Sequence, residues 1–206
     1  MAIDLVKVEK GQRVDLTKGT NLEEVLLGLG WDINRFAEAT GKKYDLDLVL
    51  FMCKSVVVNP TTGEKKDLVI DDDHFVFYKQ QQDPAGSVKL SEDNVSGEGE
   101  GDDETAIVNF AKVPAEVEKI VIAVTIYDAN AKGQNFGDVE NAYIRILDNK
   151  TGDLLKRYDL SEDCSTETSM VFGELYRHNG EWKFKAVGNG FKKELIDLCR
   201  EYGVNV

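Results

Sequence analysis

The chain has 206 residues, 42% of them hydrophobic, and a formal net charge of −13. The hydrophobic content supplies one sizeable core or two small ones, and the charge argues against nucleic acid and anionic membrane surfaces as partners. Cys53, Cys164 and Cys199 are far apart, odd in number and form no Cys-x-x-Cys pair, so neither a disulfide framework nor a zinc site is expected.

Residues 1–10 lack an apolar signal core, and no run approaches the roughly 20 apolar residues of a membrane span, so a cytoplasmic protein is expected. Residues 22–29 fit either a helix or a strand, and 34–39 fit a short helical turn. Residues 47–58 read as one strand or two, closed by the turn Asn59-Pro-Thr-Thr-Gly63. Strands are also expected at 74–79, at 105–110 and at 119–127, the last apolar enough to be covered on both faces. Two hairpins follow, 143–147 with 154–160 around Asn149-Lys-Thr-Gly-Asp153, and 170–177 with 181–187 around His178-Asn-Gly180. Apolar residues at helical spacing from Phe191 to Tyr202, stopped by Gly203, predict a C-terminal helix. The whole, 1–206, reads as one mainly β domain: a two-sheet sandwich of about ten strands with few short helices. A strand–turn–strand echo between 45–78 and 141–176 suggests two related halves.

The segment 91–104 carries seven carboxylates in fourteen residues, no basic group, and glycines at 97, 99 and 101. A core cannot bury it and a helix would not tolerate its glycines. It reads either as a solvated acidic loop or as a source of closely spaced oxygen ligands for a hard cation. A second acidic pair bears on the choice. Asp45 and Asp47 stand two apart at the head of the 47–58 strand, hence on one face, where they repel unless a cation or solvent intervenes. Asp32 is a third candidate, and convergence of these groups on Asp102, Asp103 and Glu104 would make a Ca²⁺ site. An EF-hand is excluded, because counting from Asp45 puts Val49 at the fifth position and Leu50 at the sixth.

Enzyme signatures are mostly absent. No Gly-x-Ser-x-Gly elbow, Walker loop or His-Glu-x-x-His motif occurs, and the two histidines, His74 at a strand edge and His178 in a hairpin turn, sit where a His is more often structural or exposed than catalytic. Asp71-Asp-Asp73 reads as a solvated turn, and Cys164 has no basic neighbour to lower its pKa.

Several collinear segments resemble the TerD family of tellurium-resistance and stress-response proteins. They include Val14-Asp-Leu-Thr-Lys18, Gly28-Leu-Gly-Trp-Asp32, Tyr44-Asp-Leu-Asp-Leu48 and Gly97-Glu-Gly-Glu-Gly-Asp-Asp-Glu104. Further along come Lys112-Val-Pro-Ala115, Gly133-Gln-Asn-Phe-Gly137, Arg157-Tyr-Asp-Leu-Ser-Glu-Asp163 and the long match Phe172 to Phe184. Segments 34–43 and 56–72 look longer than the family pattern, as loop insertions. The resemblance implies a β-sandwich that binds Ca²⁺, with two ions expected, in the bacterial cytoplasm. Carried over by motif, the ligands are Asp32, Asp45, Asp47, Asp102, Asp103 and Glu104, with Glu100 as an addition and Asp128 and Asn135 as a second site or a wall of the first. The implied partners are other proteins of the tellurite-resistance system, a membrane-bound one among them. The leading expectation is therefore a non-enzymatic Ca²⁺-binding module. The alternatives are a metal-dependent enzyme of phosphate or tellurite chemistry, and a binder of cyclic nucleotides or another small ligand.

Overall fold

The computed structural model describes residues 10–33, 43–97, 101–160 and 164–206. Twelve strands fall within them: β1 (Arg13–Asp15), β2 (Glu24–Ile33), β3 (Leu46–Asn59), β4 (Glu64–Val69), β5 (Phe75–Val76) and β6 (Val88–Leu90), then β7 (Glu104–Asn109), β8 (Lys119–Ile126), β9 (Val139–Asp148), β10 (Leu154–Asp159), β11 (Ser169–His178) and β12 (Glu181–Phe191). Two short helices, α1 (Ala129–Lys132) and α2 (Leu195–Glu201), complete the set with two 3-10 turns. Among the described residues no helix is long and apolar enough to cross a membrane.

The strands form two antiparallel sheets. One runs β1-β12-β11-β8-β3-β4 with β5 also on β3, and the other runs β10-β9-β2-β7-β6. Period-two alternation assigns the faces. In β2, Val25, Leu27, Leu29 and Trp31 enter the core between the sheets, and in β9 so do Ala142, Ile144 and Ile146. In β3, Leu46, Leu48, Leu50 and Met52 join the same core, while Val49, Phe51 and Cys53 face outward into a second apolar layer under α2. β8 is built alike, with Ile120, Ile122 and Val124 inside and Val121 and Ala123 beneath the helix, as its unbroken apolar run requires.

The two-sheet sandwich is the predicted architecture, with differences in detail. The ambiguous 22–29 segment is the start of β2. The 74–79 strand shrinks to Phe75–Val76, because His74 ends a 3-10 turn and Phe77 and Gln80 pair across a tight bend. The C-terminal helix starts at Leu195 rather than near Phe191, which instead ends β12. The expected loop at 56–72 is largely the β3–β4 hairpin. The two echoing halves are not equivalent: the first lies wholly in the larger sheet, whereas β9 and β10 of the second lie in the smaller and β11 in the larger. The 34–39 turn lies outside the described residues.

One topological detail positions the site. β8 covers one side of β3 from Leu46 to Cys53. On the other side β4 covers Cys53 to Asn59 and β5 only Leu50 and Phe51. Among the described residues no strand lies beside the Leu46–Val49 stretch of that edge.

Candidate metal centre

Asp45 and Asp47 sit at this open stretch. Asp47 shares the outward face of Val49 and Phe51, yet it is buried, and one oxygen of each aspartate is shielded from solvent without a hydrogen-bond partner among the described residues. Asp93, from the loop after β6, closes over them. Asp45, Asp47 and Asp93 each offer an oxygen, and these lie within 4.8 Å of one another. Oxygens bound to one Ca²⁺ at about 2.4 Å cannot lie more than about 4.8 Å apart, so the cluster matches a single ion's shell.

Glu104 meets the same edge of β3 from the other sheet. It is the first residue of β7 and an inward position of that strand, in line with Ala106 and Val108. Its Oε2 accepts the Leu48 backbone N–H at 2.7 Å, while its Oε1 is buried without a partner among the described residues. The hydroxyl of Thr125, the residue paired with Asp47 across β8, is also buried, and it favours the charged form of Asp47.

Such crowding is costly without a cation. Burial, then the charges of Asp45 and Asp93, push the Asp47 carboxyl up to about 8. Burial, with the charges of Asp47 and Asp93 behind it, pushes Glu104 up to about 9. Burial and Asp93 raise Asp45 also. The Asp45, Asp47 and Asp93 cluster, with a buried partnerless oxygen on both Asp45 and Asp47, has the oxygen-only chemistry that suits a hard divalent ion.

The other candidates are placed differently. Asp102 lies over Gly28 on the outer face of the smaller sheet, so close that a Cβ on Gly28 would stand 2.2 Å from its Oδ2. Its carboxylate is paired with Arg145, 2.9 Å from Nε, and accepts the Tyr143 hydroxyl at 3.0 Å. Asp103 accepts the Trp31 backbone N–H at 2.9 Å and the Asn94 amide at 3.0 Å, tying both legs of the acidic loop to β2. Burial raises its pKa. Asp32 is exposed and accepts the Asn141 amide at 2.7 Å. Asp128 is exposed in a left-handed backbone conformation before α1, and the Asn135 side chain caps a 3-10 turn through Gly137 N–H at 2.9 Å. Among the described residues neither joins a cluster of ligand groups. Glu100 lies outside the described residues. Sequence reasoning missed Asp93, though it belongs to the same acidic run; the signal was its position at the N-terminal leg, opposite Asp103, where Asn94 bends the chain by accepting from Ser96 and Gly97 N–H.

Gly97 seats this loop. Its φ is +63°, and a Cβ there would stand 2.3 Å from the Trp31 indole nitrogen. That nitrogen donates to the Tyr44 carbonyl at 3.0 Å, so Trp31 links the loop to the residue before Asp45.

Comparison with known proteins agrees with this architecture. A family model described as the TerD domain matches residues 1–202. General stress protein 16U of Bacillus subtilis (strain 168) is 44% identical over 202 residues, covering 98% of each chain. Tellurium resistance protein TerD of Serratia marcescens is 44% identical over 201 residues, covering 97% of this chain and 98% of its own. The crystal structure of a homologue of telluride resistance protein (TerD) from Streptomyces coelicolor A3(2) superposes with a TM-score of 0.66 at 17% identity, covering 86% of this chain and 95% of that one, and so shares the fold. The chain belongs to the TerD family of tellurium-resistance and stress-response proteins.

Proposed function

We propose that the protein is a non-enzymatic module that binds a divalent cation, with Ca²⁺ as the fitting ion, in a bacterial tellurite-resistance or general stress response. The observation that carries this reading is the convergence of Asp45, Asp47 and Asp93 beside Glu104, with partnerless buried oxygens on Asp45, Asp47 and Glu104. Asp45, Asp47 and Asp93 would hold the ion, with Glu104 or Thr125 completing the shell. Neutralising them removes the repulsion and draws the 93–97 loop onto the β3 edge, and such ordering is a surface change that another protein can read. The partners proposed are other proteins of the same cytoplasmic resistance system, a membrane-bound one included. The names of the relatives support the biological setting, since they speak of tellurium resistance and general stress.

The test is thermal unfolding of chelator-treated protein with Ca²⁺, Mg²⁺ or neither, paired with calorimetric titration. A Ca²⁺-selective rise in midpoint, lost in Asp47→Asn, supports the module. A Mg²⁺ or Mn²⁺ preference with turnover of a phosphate ester points instead to a metal-dependent enzyme. No shift with any ion removes the metal reading.

A further inference from the structure

Two separate places hold most of the exposed large apolar side chains among the described residues. Val57 and Val58 are 48% and 40% exposed at the tip of the β3–β4 hairpin. Tyr127, Ile196 and Val206 are 48%, 42% and 65% exposed around one cavity of about 670 Å³ between the outer face of the larger sheet and α2. Single exposed apolar residues need no explanation, but grouped ones mark contact surfaces.

The two places are complementary in charge. Asp72, Asp128 and Glu194 line the cavity as acids beside Asp47, against Lys79 in the lining and Lys132 over the Tyr127 ring. Asp72 and Glu194 accept hydrogen bonds from Asn205 and the Asn130 backbone, neutral donors that leave the negative charge standing. The hairpin carries exposed Lys65 and Lys66, paired across the strands with Val57 and Val56. Its Asp67 is already neutralised by Lys119, so Glu64 is the one acid left to offset the lysines between residues 54 and 69.

The hairpin cannot reach the cavity of its own chain. Asp47 marks the cavity end of β3 and Val57 lies ten residues further along the same strand, about 33 Å away. We propose that a second copy of this chain fills the cavity, inserting the Val57–Val58 tip between Tyr127, Ile196 and Val206 while Lys65 and Lys66 face Asp128 and Glu194. The contact is head-to-tail, because it joins two different surfaces. Each copy keeps a free hairpin and a free cavity, so association continues past the dimer unless a ring closes.

Sedimentation equilibrium of the full chain in chelator tests this with no ion bound. The weight-average mass is expected to rise with concentration beyond the dimer and to fall back in high salt. Val58→Asp on the hairpin and Ile196→Asp at the cavity alter exposed positions, and unchanged melting curves check that both variants fold. Each variant alone is expected to be monomeric. An equimolar mixture of the two is expected to form a 1:1 dimer and nothing larger, since only one intact hairpin and one intact cavity remain to meet. A wild-type chain that stays monomeric to millimolar concentration, variants that associate as the wild type does, or a mixture that stays monomeric would each overturn the proposal.

Discussion

The Glu104 carboxylate accepts the Leu48 backbone N–H at 2.7 Å, so the first residue of β7 in one sheet closes the open edge of β3 in the other. The charges of Asp47 and Asp93 act on the same carboxylate, so ionising it meets repulsion even as it accepts the Leu48 bond. Substitutions separate the two roles. Glu104→Gln keeps an acceptor for Leu48 and removes the charge, and it is expected to stabilise the chelator-treated protein while weakening ion binding. Glu104→Ala leaves a buried N–H unpaired and is expected to cost about 1–3 kcal/mol. Urea unfolding in chelator checks both, and a Gln variant as unstable as the Ala variant would contradict the account.

The pH dependence of the metal-free protein follows from the same crowding. Asp47 is held at about 8 and Glu104 at about 9, whereas in the unfolded chain both titrate near the usual value of roughly 4. Between those limits the folded state binds protons that the unfolded state has released, so stability must fall as pH rises across that window. The melting midpoint in chelator is expected to be higher at pH 5.5 than at pH 8.5. Saturating Ca²⁺ should weaken or reverse the trend, because the ion needs the deprotonated carboxylates. A chelator midpoint that rises with pH in this range would refute the assignment.

Asp102 is paired with the Arg145 guanidinium. Its side chain is 9% exposed and that of Arg145 29% exposed, so the pair is shielded on one side only. Arg145→Gln is expected to destabilise the fold by about 1–3 kcal/mol by stranding the carboxylate, and to speed amide exchange at residues 101–104. Its effect on Ca²⁺ affinity should be smaller than that of Asp47→Asn. Calorimetric titration of the two variants compares them directly.

Gly97 has no room for a side chain. Gly97→Ala places a methyl against the Trp31 indole at a backbone φ of +63°, and both effects oppose the native loop. A loss of about 1–3 kcal/mol is expected, with a red-shifted Trp31 emission as the indole is pushed from the Tyr44 carbonyl. Trp182 also emits, so the shift is best read in a Trp182→Phe background.

Ligand assignment shows where local reading stops. That Asp45 and Asp47 share a face is a matter of period two and is written in the chain. The acidic triplet at 102–104 is equally plain, yet its members part company: Asp102 turns to Arg145 on the outer face of the smaller sheet, Asp103 to the Trp31 N–H, and Glu104 to Leu48 and the cluster. Nothing local distinguishes three consecutive acids, because each is claimed by a partner at least forty residues away.

The sequence by itself determined most of the longer strands, the hairpin turns at Asn59–Gly63, Asn149–Asp153 and Asn179–Gly180, the family, and an acidic segment that no core can bury. These depend on side-chain period, turn chemistry and the cost of desolvating charge, which act over a few residues. The tertiary structure alone decided that β4 and β5 leave the Asp47 end of β3 uncovered, and that Asp93 closes over it. That choice depends on which loop crosses which strand edge, and the pairing of distant segments is fixed only when the two sheets pack.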